Sequence, residues 1–170
     1  MSTVTVIMGV SGCGKTTTGQ GLANQLGCPF YDGDNFHPPE NIAKMSSGIP
    51  LNNDDRKPWL KRLHSIIVDH LNRDEMAVVA CSALKKRYRD ILRGNNAKGI
   101  VFVYLKGNFD LIWQRMTARQ GHYMKAGMLQ SQFAALEEPG EDEAFALDIA
   151  YDSKTQIEII VNLLETKNES

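Results

Sequence analysis

Apolar residues along the 170-residue chain fall into short dense runs, separated by stretches in which they recur every three or four positions. The first run, "TVTVIM" at 3–8, is rich in β-branched residues and leads straight into glycines. Similar runs lie at 29–32 ("PFYD"), 77–81 ("AVVAC"), 100–105 ("IVFVYL") and 146–150 ("ALDIA"). Such short runs suit strands buried on both faces, as in a parallel sheet. Between them, "KTTTGQGLANQLG" reads as a helix closed by Gly27, a residue that adopts the left-handed cap conformation without strain. Leu60, Leu63, Ile67 and Leu71 keep one apolar face between 54 and 73, with Pro58 expected in that helix's first turn. Strands alternating with helices predict an α/β fold, with five mostly parallel strands between two helical layers in a three-layer αβα arrangement.

Two segments break the pattern, 33–53 and 119–143, both polar and irregular. Long excursions of this kind in compact domains are typically binding segments or lids. No repeat, low-complexity tract or linker divides the chain, so 1–170 is expected to form a single domain, with a substrate-binding segment at about 33–72 and a lid at about 119–143. A chain of this length buries about two-thirds of its unfolded surface without staples.

Charge and cysteine content narrow the partners. With 19 Lys+Arg against 20 Asp+Glu the net charge is -1, and no global field draws the chain to nucleic acid or anionic lipid. Cys13, Cys28 and Cys81 are odd in number and lack a CxxC spacing, which points to reduced thiols and a cytoplasmic address. The start lacks the features of a leader, and no apolar run reaches the roughly 18 residues of a membrane span. The expectation is a soluble protein with neither nucleic-acid nor membrane partners.

"GVSGCGKT" at 9–16 fits Gly, four residues, Gly-Lys-Ser/Thr, placed after a predicted strand and before a predicted helix. In that context backbone N–H groups turn onto phosphate oxygens and the helix presents its positive end to the same charge. Gly9, Val10, Ser11, Gly12, Cys13, Gly14, Lys15, Thr16 and Thr17 are therefore the candidate nucleotide-binding stretch. Lys15 reaches the outer phosphates and the Thr16 hydroxyl suits magnesium, so ATP and Mg2+ are the expected cofactors. Cys13 reads as a small filler in the loop.

The remaining acids decide between P-loop chemistries. There is no Asn-Lys-x-Asp for reading guanine, and neither "AVVACSA" nor "IVFVYLKG" ends in an acid. The carboxylates come instead from "YDGDNFH", directly after the second predicted strand, where Asp32 and Asp34 should emerge beside the phosphate loop. Two residues apart in extended chain, they point the same way. One can support magnesium while the other takes the proton of an attacking hydroxyl, as phosphoryl transfer to an alcohol requires. Spacing alone does not separate the two parts; the assignment carried forward gives Asp34 the base and Asp32 the metal, directly or through water.

Together with the phosphate loop, "DGDNFHPPENIAKMSSGIPLNNDDRKPWL", "CSALKKRYRDILR", "YLKG" and "GHYMKAGMLQSQFAALEEP" make the chain similar to gluconokinases of the small P-loop type, relatives of shikimate kinases and nucleoside monophosphate kinases. The resemblance runs from the first strand to about Pro139. It implies a nucleoside monophosphate kinase-like fold with a substrate-binding helical segment and a lid. It also implies ATP-dependent phosphorylation of D-gluconate at its 6-hydroxyl to 6-phospho-D-gluconate and ADP, feeding the pentose phosphate or Entner-Doudoroff pathways, often by a homodimer.

Gluconate needs cations at its carboxylate end, hydrogen-bonding groups along its length and a base at the other end. In "CSALKKRYRD", Leu84, Tyr88, Ile91 and Leu92 are expected to face the core, leaving Lys85 and Arg89 stacked at i and i+4. Those two and Ser82 are candidates to hold the substrate, with His37, Lys44 and Arg56 closing over the polyol. Arg115, Arg119 and His122 fall on one side of a continued helix leading toward the lid. Arg119 is the candidate for stabilising the transferring phosphoryl group, Arg115 for flanking the nucleotide and His122 for the substrate. No Gly-Gly pair occurs, which argues against a shikimate kinase; a nucleoside monophosphate kinase is the nearest enzyme alternative, and an ATP-binding regulatory module without turnover is the alternative from another class.

Overall fold

The computed structural model describes residues 3–118 and 126–168. Five strands, β1 (Val4–Met8), β2 (Phe30–Asp32), β3 (Ala77–Ala80), β4 (Ile100–Lys106) and β5 (Phe145–Asp148), form one sheet in the order β2-β3-β1-β4-β5. Every neighbouring pair is parallel, with Val6 opposite both Val79 and Phe102 at the centre. The strands' carboxyl ends therefore share one edge, and each predicted strand lies within a residue or two of its run.

Alternation along the strands splits the core into two. Val4, Val6 and Met8 of β1 join Ile100, Phe102 and Tyr104 of β4 on one face, covered by α3 (Asn53–Asn72) and α4 (Lys86–Arg93). Ile7 joins Val101, Val103 and Leu105 on the other, covered by α1 (Lys15–Leu26), α5 (Phe109–Ala118), α6 (Ala126–Ala135) and α7 (Ser153–Asn168). This is the three-layer αβα arrangement, and both faces being buried explains why the strand runs are apolar throughout. Leu60, Leu63 and Ile67 of α3 are fully buried, each contributing about 1.5–3 kcal/mol. Among the described residues no helix is long and apolar enough to cross a membrane.

Two local expectations are corrected. Segments 33–53 and 119–143 are only partly irregular: Gly33–Phe36 form a 3-10 turn, Pro39–Ser46 form α2, started by a proline at its first position, and Ala126–Ala135 form α6, while 37–38 and 47–52 stay outside any helix or strand. Pro58 does not sit in the first turn of α3. That helix begins at Asn53, because the Asn52 side chain accepts from the Asp55 N–H and the Asp55 carboxylate accepts from the Asn52 N–H, a reciprocal cap. Pro58 is then the sixth helical residue, at an exposed position where the carbonyl that loses its helical donor can turn to water.

Candidate active site

The phosphate loop spans β1 and α1 at the carboxyl edge of the sheet. Gly12 and Gly14 hold φ of +79° and +96°, conformations that side chains rarely adopt. Gly14 caps α1 without a side-chain bond, and no acid occupies the first turn, so the helix's leading N–H groups face no competing charge of their own. The Lys15 ammonium donates to the Gly9 and Val10 carbonyls, both at 3.0 Å, and Thr16 is exposed beside it. Cys13 is 2% exposed and burial pushes its thiol up, which suits the filler role. The Gly9 N–H donates to the Ser82 carbonyl at 3.2 Å, fastening the loop to the chain leaving β3.

Asp32 and Asp34 reach the same edge, though not in the expected way. The chain is extended only to Asp32; it then turns at Gly33, and the Asp32 carboxylate caps the turn by accepting from the Asp34 N–H at 3.1 Å. The two side chains are therefore not same-side neighbours on a strand. The turn packs so closely on β3 that a Cβ on Gly33 would lie 2.5 Å from the Ala80 carbonyl oxygen, and the Gly33 carbonyl accepts from Trp59 Nε1 at 2.7 Å. Gly33→Ala is expected to lower stability by about 1–3 kcal/mol in a urea melt and to reduce kcat by displacing Asp34. Burial pushes the Cys81 thiol up to about 12. Asp32 pairs with Ala80 in the ladder and the Cys81 N–H donates to the Ile7 carbonyl at 3.0 Å, so the acidic turn and the strand leading into the phosphate loop flank the end of β3.

The helical segment after the turn packs as a braced unit. His37, 8% exposed, stacks on Trp59 with ring centroids 4.1 Å apart, and its Nδ1 lies 3.2 Å from Asn41 Nδ2. Burial lowers the His37 pKa, Asp34 opposes that and Arg56 adds to it. The Lys44 ammonium holds both oxygens of Asp55, at 2.8 and 2.9 Å, tying α2 to the start of α3. Arg56 donates to the Leu51 carbonyl and the Tyr88 hydroxyl and lies over the Tyr88 ring. Lys44 thus braces the wall of the segment with its ammonium and Arg56 with one of its terminal nitrogens.

The expected face of α4 is corrected. The helix begins at Lys86, with Lys85 as its non-helical cap residue, so Lys85 and Arg89 do not stack on one helical face. Arg89 is 1% exposed: its Nε donates to Glu143, its two terminal nitrogens to the Ala83 and Glu137 carbonyls at 2.8 and 2.9 Å. It is a buried tie, not an open cation. Ser82 and Lys85 remain half-buried on the loop it anchors, and among the described residues no hydrogen bond or ion pair engages the Lys85 ammonium.

Arg115 is exposed at the rim of a cavity of about 330 Å³ lined also by Gly12, Gly14, Thr17, Tyr151 and Gln156. No motif or spacing in the sequence singles out Tyr151 or Gln156. Gln156 is locked there, accepting from Thr18 Oγ1 at 2.6 Å and donating to the Tyr151 carbonyl. Gln132 of α6 was missed too: its Oε1 accepts from the Ser11 N–H at 2.7 Å and its Nε2 donates to Ser11 Oγ at 2.8 Å. Arg119 and His122 lie outside the described residues.

Comparison with known proteins narrows the chemistry. Residues 11–166 match the family model described as Shikimate kinase. The chain is 49% identical over 147 residues to the thermoresistant gluconokinase of Escherichia coli (strain K12), covering 86% of this chain and 83% of that one. Among solved structures it is similar to a gluconokinase from Sinorhizobium meliloti 1021, with a TM-score of 0.83 at 44% identity over 92% of this chain and 87% of that one. A sugar kinase from Janibacter sp. HTCC2649 superposes with a TM-score of 0.88 at 41% identity, covering 97% and 95%. With the phosphate loop, the clustered carboxylates and these likenesses together, the chain belongs to the gluconokinases, ATP-using enzymes within the shikimate kinase-like P-loop kinases.

Proposed function

We propose that the enzyme transfers the γ-phosphoryl group of ATP to the 6-hydroxyl of D-gluconate, giving 6-phospho-D-gluconate and ADP. The observation that carries this is the placing of the Asp32–Asp34 turn, packed on Ala80 at the end of β3, beside the phosphate loop that the Gly9 N–H fastens to the Ser82 carbonyl. A carboxylate there can accept the proton of the 6-hydroxyl as its oxygen attacks the γ-phosphorus and the bond to the ADP oxygen breaks. Asp34, exposed toward the edge, takes that part; Lys15 and Arg119 offset charge on the transferring group.

Magnesium fits the residues present. It takes oxygen donors and retains several waters, and the exposed Thr16 hydroxyl and the Asp32 carboxylate are donors of that kind. When bound, the ion neutralises charge between the outer phosphates. Gluconate's carboxylate is met by Lys85 with Ser82, its hydroxyls by His37 and His122, with Lys44 and Arg56 shaping the wall. Gly9–Thr17 hold the nucleotide's phosphates, and Arg115 flanks its base. The reading extends to a single-domain, cytoplasmic homodimer serving the pentose phosphate or Entner-Doudoroff pathways.

The test is a panel of acceptors with ATP and Mg2+: gluconate, other sugar acids, shikimate and nucleoside monophosphates, followed by ADP release. Gluconate is expected to be preferred, with its product oxidised by 6-phosphogluconate dehydrogenase. Turnover of a nucleoside monophosphate or shikimate in preference to gluconate overturns the reading.

A further inference from the structure

We propose that Asn41 is a positioning residue that holds His37 as the tautomer with its hydrogen on Nε2, making His37 a neutral hydrogen-bond donor to a hydroxyl of the acceptor. The inference rests on the gluconate reading for the acceptor alone; the tautomer follows from the geometry of three groups.

Asn41 is 2% exposed, and its Nδ2 lies 2.9 Å from the Asp55 carbonyl oxygen and 3.2 Å from His37 Nδ1. A carbonyl oxygen only accepts, so the atom facing it must be the amide's NH2; turning the amide over would set oxygen against oxygen. One hydrogen of that NH2 goes to Asp55, leaving the other aimed at His37 Nδ1. Nδ1 must then present its lone pair, and the ring hydrogen sits on Nε2. Stacking on Trp59 fixes the ring plane, so Nε2 has a defined direction. Among the described residues no group takes the Nε2 hydrogen.

The same geometry opposes the imidazolium, which would bring an Nδ1–H against the Asn41 NH2. The charged groups felt at His37 are Asp34 from the 3-10 turn, which favours the cation, and Arg56 from α3, which opposes it; burial is the larger influence and also opposes it. Asp55, beyond Asn41, is occupied by Lys44. A neutral donor suits a polyol, since it orients a hydroxyl oxygen without adding a second fixed cation beside the Asp34 base.

Long-range 1H–15N spectra of histidine-labelled protein read the tautomer without any substrate. His37, assigned through His37→Gln, is expected to show an unprotonated Nδ1 and a protonated Nε2 at pH 7. His64 supplies the opposite pattern as an internal standard, because its Nδ1 faces the Leu92 carbonyl at 2.9 Å and must carry the hydrogen. Asn41→Asp places an acceptor at Nδ1 and should turn His37 into the cation at neutral pH. The acid limb of kcat/KM for gluconate then moves up by at least one pH unit, with KM for ATP unchanged. Asn41→Leu, which frees both tautomers, covers the case in which the aspartate does not fold. A protonated Nδ1 in the wild type overturns the proposal, as does a folded Asn41→Asp with the wild-type pH profile. If gluconate is not turned over at all, the acceptor assignment fails while the spectrum still decides the tautomer.

Discussion

Asp34→Asn is expected to lower kcat by about 10²-fold or more while ATP binding stays near the wild-type value. Asparagine keeps the size and shape of the side chain but cannot take a proton from the attacking hydroxyl. The backbone of the turn is preserved, because what it gives to Asp32 is the residue 34 N–H, which the substitution leaves in place. KM for gluconate should change less than kcat, since a base acts mainly in the transition state. Asp32→Asn makes the contrast: asparagine can still cap the turn, so the fold persists, but a weaker oxygen donor should raise the magnesium concentration needed for half-maximal rate. If Asp34→Asn keeps near-normal turnover while Asp32→Asn loses it with no change in magnesium demand, the two roles are exchanged.

The second large effect falls on stability. Arg89→Met leaves the Ala83 and Glu137 carbonyls and the Glu143 carboxylate without their shared donor, in a place with almost no water. Breaking one partner of a buried pair typically costs about 3–5 kcal/mol, which for a chain of this size corresponds to a melting point lowered by about 10 °C. Arg93 also approaches Glu143, at 4.0 Å, and softens the loss only in part. Glu143→Gln, which keeps an acceptor in place, should cost less. The decisive comparison is Arg89→Met with Lys85→Met: the first is expected to melt early, the second to keep its melting point and raise KM for gluconate. An Arg89→Met protein of normal stability and raised gluconate KM would return Arg89 to the substrate set.

Why Arg89 misled is instructive about what a sequence carries. The apolar spacing of Leu84, Tyr88 and Leu92 suggested a helix running from 84, and on that wheel Arg89 falls beside Lys85. The helix starts two residues later, and the segment after α6 folds over it, so a position that looked open is covered by Glu137 and Glu143 from far along the chain. Strands and the phosphate loop were legible because their signals are local: dense β-branched runs, and glycines at spacings only one loop geometry needs. Asp32 and Asp34 were legible as a pair, but their turn depends on the closeness of Gly33 to Ala80, which no local pattern encodes. Gln132, Tyr151 and Gln156 are ordinary polar residues in sequence. They acquire a place at the site only because α6 and the start of α7 pack against the phosphate loop.

The bond from Ser11 to Gln132 bears on how the loop trades partners. A backbone amide has one hydrogen, and in the structure that of Ser11 is taken by Gln132 Oε1. In the proposed phosphate contact, an oxygen arriving at the Ser11 nitrogen has either to share this hydrogen with Gln132 Oε1 or to displace it. The net gain from that contact is the difference between two satisfied bonds, a small quantity, and not the full strength of one. The second bond of the pair, from Gln132 Nε2 to Ser11 Oγ, does not use that hydrogen and ties α6 to the loop by itself. Without a ligand the loop therefore carries no bare donor at Ser11, because a residue more than a hundred positions away already satisfies it.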